Sequence, residues 1–375
     1  MKESQTQMLN HSEAKVRLLD TYIQKYLNIL SRSQHVADIY LYDLFCGSGV
    51  YENGGEGSPV IFMRAIKNMF FRNESVGIEN SSYHCWFNDI DADKIQKVEQ
   101  YINDKKLYYP QFGDLKISSK EYEAILPDVI GQINKLKREK AFVFIDPYGY
   151  KNISLNHIKK LLESKKSEVL LFLPTQFMFR FERKGAPECL KKFIRELLPE
   201  REWPNSHTGI DFIENLKSAF RSHLGNEYYV DTFIIKREAN QYFCLFFFTS
   251  HIYGFEKMLE AKWQVDKNEG RGWDFNANGS MSLFVDQVSQ ARVNKLEASL
   301  LSHLKIPRTN VDLYWFILHE GFRTVHGNDV LKRLSREGKI NVTPVGGEKT
   351  RRGAFYLGHD YYKDNLAKIL VKSNI

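Results

Sequence analysis

A doubly wound α/β fold built on a parallel sheet is predicted for most of this 375-residue chain. Three observations predict it. Short apolar runs alternate with helical stretches from Asp38 to Pro174, a glycine-bearing turn follows the first run, and two long apolar strands in succession close the series. The length suits two domains, one large and one small. A hydrophobic fraction of 43% with 14% aromatic residues can build packed interiors, so disorder is not expected.

In chain order, Ser12 to Ser31 carries Val16, Leu19, Tyr22, Ile23, Tyr26, Leu27 and Leu30 at helical spacing, with Ser12 as N-cap. The strand DIYLYDLF runs into the loop CGSGVYENGGEGSP, and Ser58-Pro59 opens a helix. Further strands are expected at Cys85 to Asp89, Tyr109 to Gly113, Ala141 to Asp146 and Glu168 to Pro174, with helices at Ala92 to Ile102 and Tyr122 to Lys137. YYVDTFIIKR and YFCLFFFTSH form a hairpin. Phe255 to Trp263 is a helix, and Asp266 to Ser280 a polar loop. The boundary falls between Val285 and Pro307, giving domains at 1–290 and 305–375. In the second, helices at Val311 to Glu320 and Gly327 to Arg336 precede INVTPVGGEKTRRGAFYL, read as strand, Gly-Gly turn and strand. Helix, turn, helix and a basic hairpin is the order of a winged helix.

The formal charge of +7 permits a polyanionic partner without establishing one. Four cysteines, Cys46, Cys85, Cys189 and Cys244, lie far apart, which argues against a disulfide framework or thiolate metal site. The histidines lack metal-ligand spacing, so no metal is expected. The first residues lack a signal-peptide core, and the longest apolar run, Tyr242 to Thr249, is far short of a membrane span. A cytoplasmic protein is expected.

Chemistry concentrates at the turns. Asp43-Leu-Phe-Cys-Gly47-Ser-Gly49 lets backbone pass close to a ligand, since side chains would block it. No third glycine completes the dinucleotide fingerprint, and the next ribose-binding acid lies about forty residues on rather than about twenty. Both points favour S-adenosyl-L-methionine. That acid is Asp89 in FNDID, with Glu79 as rival and Asp91 as a helix cap. Asp114, after Gly113, is placed to meet the adenine amino group. The expected cofactor set is Asp43, Phe45, Gly47, Gly49, Asp89, Ile90 and Asp114. Phe144-Ile-Asp146-Pro147-Tyr148-Gly149 ends an apolar strand. A carboxylate, a carbonyl and a ring there can hold a planar amine, which makes Asp146, Pro147 and Tyr148 the candidate catalytic residues. DNA amino-methyltransferases carry a second proline here, and this chain lacks it. Cys46 is read as a packing residue. Arg180 and Arg183 share the same rim with aromatic residues and suit a flipped base. Lys349, Arg351 and Arg352 in the basic hairpin suit phosphates.

The ordered set resembles the three-Cys-motif partner (TcmP) family over most of the chain. The resemblance is carried by the opening helix with His11 and Lys15, then YDLFCGSG, GEGSP, WFNDID, FGD, FIDPYG, VLLFLP with Arg180 nearby, and KMLEAKWQVD. It implies a Rossmann-like class I methyltransferase fold with a small C-terminal winged-helix domain. It also implies a bacterial or phage setting and a partner protein bearing three cysteines. The long loop between Gly49 and Pro59 departs from the generic pattern, so the following helix is not expected to point at the ligand in the usual way. The function expected is methyl transfer to DNA or RNA within a modification or defence system. The alternative is a non-catalytic scaffold or specificity subunit on the same fold.

Overall fold

The computed structural model describes residues 10–79, 81–147, 153–176, 178–179, 206, 208–238, 241–274, 289–347 and 350–374. Packing divides the chain into two compact units, Met1–Gly254 with Gly272–Ser280, and Phe255–Arg271 with Met281–Ile375.

The larger unit begins with α1 (Asn10–Leu30), whose face of Leu18, Leu19, Tyr22, Ile23 and Leu27 is fully buried. Alternating elements follow: β1 (Asp38–Asp43), α2 (Ser58–Ser75), β2 (Ser82–Asp89), α3 (Ala92–Asp104), β3 (Leu115–Ser119), α4 (Tyr122–Lys135), β4 (Lys140–Ile145), α5 (Leu155–Leu162) and β5 (Ser167–Leu173). Then come α6 (Gly209–Leu224), β6 (Tyr229–Glu238) and β7 (Gln241–Thr249). The sheet order is β3-β2-β1-β4-β5-β7-β6-β8, where β8 is Gly272–Asp274. Pairing is parallel except where β7 runs against β5 and β6. A parallel sheet reversed only at its penultimate hairpin is the Rossmann-like class I methyltransferase arrangement. Strands covered on both faces read as continuous apolar runs, and every residue of β5 is buried. The order reverses between β1 and β4, and the crevice outside the carboxyl ends of those strands is where such sheets bind ligands.

Two expectations need correction in this unit. Tyr109 to Gly113 is not a strand. Pro110–Phe112 is a 3-10 turn ended by Gly113 at φ 126°, and the strand starts at Leu115. Proline at the turn's start and glycine in a conformation that side chains avoid break the extended run. A Cβ on Gly113 would lie 2.3 Å from the Tyr83 carbonyl oxygen. The loop expected at Asp266 to Ser280 contains β8, whose Gly272 fits because its missing Cβ would meet the Ile234 carbonyl oxygen at 1.9 Å.

In the smaller unit, helix α7 (Ile252–Val265) leads in, followed by α8 (Gln290–His303), β9 (Arg308–Thr309), α9 (Asn310–His319), α10 (Thr324–Arg336), β10 (Ile340–Pro344), α11 (His359–Lys363) and β11 (Ile369–Ser373). The small sheet has the order β10-β11-β9. The expected boundary placed α7 in the large domain, but Trp263 belongs to the core formed by Leu296, Leu300, Leu313, Ile317 and Leu331. Its indole donates to the Gly321 carbonyl at 3.0 Å. The expected hairpin partner is corrected too. β10 pairs with the terminal ILVKS rather than GAFYL. ILVKS buries alternate residues, whereas Tyr356 sits at φ 51°, outside strand geometry. No described helix is long and apolar enough to cross a membrane.

Candidate active site

β1, β2 and β4 bring Asp43, Asp89 and Asp146 to one edge of the sheet. The glycine turn lies beside them. Gly47 and Gly49 hold φ of 63° and 75°, which L side chains rarely adopt. A Cβ on Gly49 would meet Val98 at 3.1 Å. The long loop after it folds onto itself through a Val50–Glu56 bridge. Gly57 N–H then donates to the Gly49 carbonyl at 2.7 Å. Helix α2 (Ser58–Ser75) therefore starts directly beside Gly49.

Asp89 is 1% exposed. Its Oδ2 accepts from Gly47 N–H and its Oδ1 from Asp91 N–H, both at 3.0 Å. In this geometry it ties the glycine turn to β2. Asp91 caps α3 by accepting from the amides of Asp93 and Lys94 at 3.0 and 3.3 Å. Glu79 precedes β2 and so lies at the other end of that strand. Ile90, 57% exposed, stands next to Asp89. Phe45 stacks on Tyr122 with centroids 5.2 Å apart. These two side chains offer apolar surface beside the turn.

Asp114 falls elsewhere. Because the strand begins after it, Asp114 sits at the entry of β3, where it meets His84 Nδ1 at 3.0 Å and its carbonyl accepts from Cys85 N–H. The end of β3 that shares the edge with Asp89 carries Ser118 and Ser119 instead. The hub there is Asn88, which the sequence did not single out. Its side chain donates to the Lys120 carbonyl at 2.9 Å and accepts from Ser118 Oγ at 2.8 Å. Ser119 Oγ donates to the Ile90 carbonyl at 3.0 Å. An asparagine inside FNDID has no motif signature; only strand register shows its role.

Lys15 reaches from α1 to form an ion pair with Asp146 Oδ2. Its ammonium also lies 4.8 Å from the Phe172 ring centroid. Burial opposes the lysine charge, but Asp146, Tyr51 and Asp43 outweigh it, so its pKa is raised. Asp43 is completely buried. Burial pushes its pKa up to about 7, Asp146 adds to the rise, and the Ser58 hydroxyl, Phe45 amide and Lys15 pull it back only in part. Asp43 Oδ2 and the buried Gln176 Oε1, just past β5, have no hydrogen-bond partner among the described residues. Burial, then Asp43 and Asp89, push the Cys46 thiol well above its ordinary range, consistent with packing rather than thiolate chemistry. Pro147 is buried beside Asp146. Tyr148, Arg180, Arg183 and Lys349 lie outside the described residues. Arg351 and Arg352 are exposed, in the other unit.

The residues present suit S-adenosylmethionine in two respects. Phe45 and Ile90 offer apolar side chains beside the turn, and the unpartnered Asp43 oxygen offers an acceptor. No family model matches the chain, and no curated protein matches it. Among solved structures, a Legionella pneumophila protein overlaps with TM-score 0.40 and 10% identity, covering 69% of this chain and 91% of its own. An O-methyltransferase from Bacillus cereus in complex with SAH gives 0.35 and 12%, over 61% and 80%. A putative rRNA-methylase from Clostridium thermocellum gives 0.30 and 10%, over 64% and 98%. At these identities the likeness concerns the fold alone, and the strand order of this chain is what defines that fold.

Proposed function

We propose that the chain is an S-adenosylmethionine-dependent methyltransferase acting on a nucleic acid within a bacterial or phage modification or defence system. The observation that carries this reading is the meeting of Gly47, Gly49, Asp43, Asp89 and Asp146 at the switch point of the methyltransferase sheet. When bound, the cofactor supplies an electrophilic methyl group on a sulfonium. Gly47 and Gly49 would line it, Asp89 would hold the turn and face the ribose, and Phe45 and Ile90 would flank the adenine. Asp146, with Pro147 and Tyr148, would orient the acceptor, so the protein contributes mainly by positioning. The helix, strand, helix, helix, strand order from α8 to β10, with β11 pairing on β10 after the short α11, supports a winged helix that brings the polymer, with Lys349, Arg351 and Arg352 on phosphates. Arg180 and Arg183 would meet the target nucleotide. The motif set supports kinship with TcmP proteins and with it a three-cysteine partner.

Calorimetric titration with S-adenosylmethionine and S-adenosylhomocysteine tests the cofactor. Binding is expected, and Asp89→Ala is expected to weaken it by about tenfold or more, since two turn amides lose their acceptor. Failure of the wild-type chain to bind either compound leaves the alternative, a non-catalytic scaffold or specificity subunit.

A further inference from the structure

The feature that the amine-holding expectation did not include is the cation beside the acid. Lys15 occupies Asp146 Oδ2, and Oδ1 has no donor among the described residues. The Asp146 side chain remains 21% exposed while that of Lys15 is only 9% exposed. Among the described residues the pair therefore leaves one carboxylate oxygen of Asp146 without a donor, with the ammonium held at the other oxygen.

These facts weigh differently on nitrogen and oxygen acceptors. An exocyclic base amine has its lone pair drawn into the ring. To free it, a site must accept both amine hydrogens; with Lys15 on Oδ2, Asp146 can take only one of them, and a backbone carbonyl would have to take the other. Attack by that nitrogen also builds positive charge, which a nearby buried ammonium opposes. A hydroxyl has one hydrogen to place. As it departs, negative charge grows on oxygen, which the same ammonium favours.

Resting on the methyltransferase reading above, we propose that the methyl acceptor is a hydroxyl oxygen. In a nucleic acid it is the ribose 2′-hydroxyl of RNA, the hydroxyl that internal DNA nucleotides lack. Asp146 is the catalytic residue that takes the proton, and Lys15 is the positioning residue that holds it. The acceptor oxygen forms the new carbon–oxygen bond. The carbon–sulfur bond of the methyl sulfonium donor breaks with its electron pair passing to sulfur, and the hydroxyl proton passes to Asp146 Oδ1 and on to water.

The test is to express the full-length chain in cells that lack it, digest total RNA and genomic DNA to nucleosides, and separate these by mass spectrometry. New ribose-methylated nucleosides are expected in RNA alone. Lys15→Met is expected to lower them by about a hundredfold, and Lys15→Arg to restore part of the loss. Lys15→Met is expected to melt at a lower temperature, since Asp146 loses its buried partner; a retained cooperative transition and unchanged S-adenosylhomocysteine binding separate the lost methylation from misfolding or a lost cofactor site. A base-methylated nucleoside in either polymer overturns the proposal, as does cofactor binding with no new methylation in either. Absence of cofactor binding by the wild-type chain sinks the methyltransferase reading itself.

Discussion

Asp89, Asp43 and Glu168 are all buried carboxylates, and each meets burial differently. Asp89 is satisfied by two backbone amides. Asp43 keeps an unpartnered oxygen and is pushed up to about 7. Glu168, at the start of β5, accepts from Tyr22 Oη and, at 3.0 Å, from Thr249 Oγ1. Burial still raises it to about 7, against the lowering effect of those bonds and of Lys140. For an acid whose folded pKa lies above the unfolded value, the native state holds the proton more tightly. Its stabilising contribution is full below the unfolded pKa, near 4.5 for Glu168, and is lost as pH rises through about 7. Urea unfolding at pH 5 and pH 8 should therefore show wild type losing on the order of 1–3 kcal/mol more than Glu168→Gln over that interval. Parallel losses would remove Glu168 as the cause. None of these differences is legible in the sequence, where each is an acid at a strand terminus.

At the scale of elements, local signals located strands and helices well where side chains cap or alternate, and failed where pairing is remote. Asp91 was legible as the cap of α3 because an acid preceding a helical run accepts the orphan amides. Asp91→Ala should cost about 1 kcal/mol in denaturant unfolding and leave S-adenosylhomocysteine affinity unchanged, in contrast to Asp89→Ala. Loss of affinity in Asp91→Ala would return Asp91 to the site. The strand at Leu115–Ser119 was misplaced by several residues because LKISS has few large apolar side chains, whereas Tyr109 and Phe112 mimic a strand. The consequence for the site is large. Moving the strand past Asp114 puts that acid at the opposite end of the sheet from Asp89. Likewise, the glycines at 346 and 347 mark a turn but do not name the strand that follows. β11 is more than twenty residues beyond it.

At the scale of the whole molecule, two compact units were expected, but Trp263 entered the core of the second rather than the first. Trp263→Ala should remove about 3–5 kcal/mol from the smaller unit. Hydrogen exchange should then accelerate in α9 and α10 while β1 to β5 stay protected; unchanged exchange in α9 and α10 would count against that assignment. The sequence by itself determined the alternation that builds the doubly wound sheet and the glycine turn, with acids at the ends of β1, β2 and β4. Those features are local: apolar periodicity, positive-φ glycine and capping chemistry act over a few residues. Only the tertiary structure decided that Lys15 meets Asp146 across 131 residues. It alone decided that Asn88 binds two strand ends, and that the loop after Gly49 closes so that α2 begins beside the turn. Such choices depend on strand register and on which charges share a buried space, and no short stretch of sequence carries either.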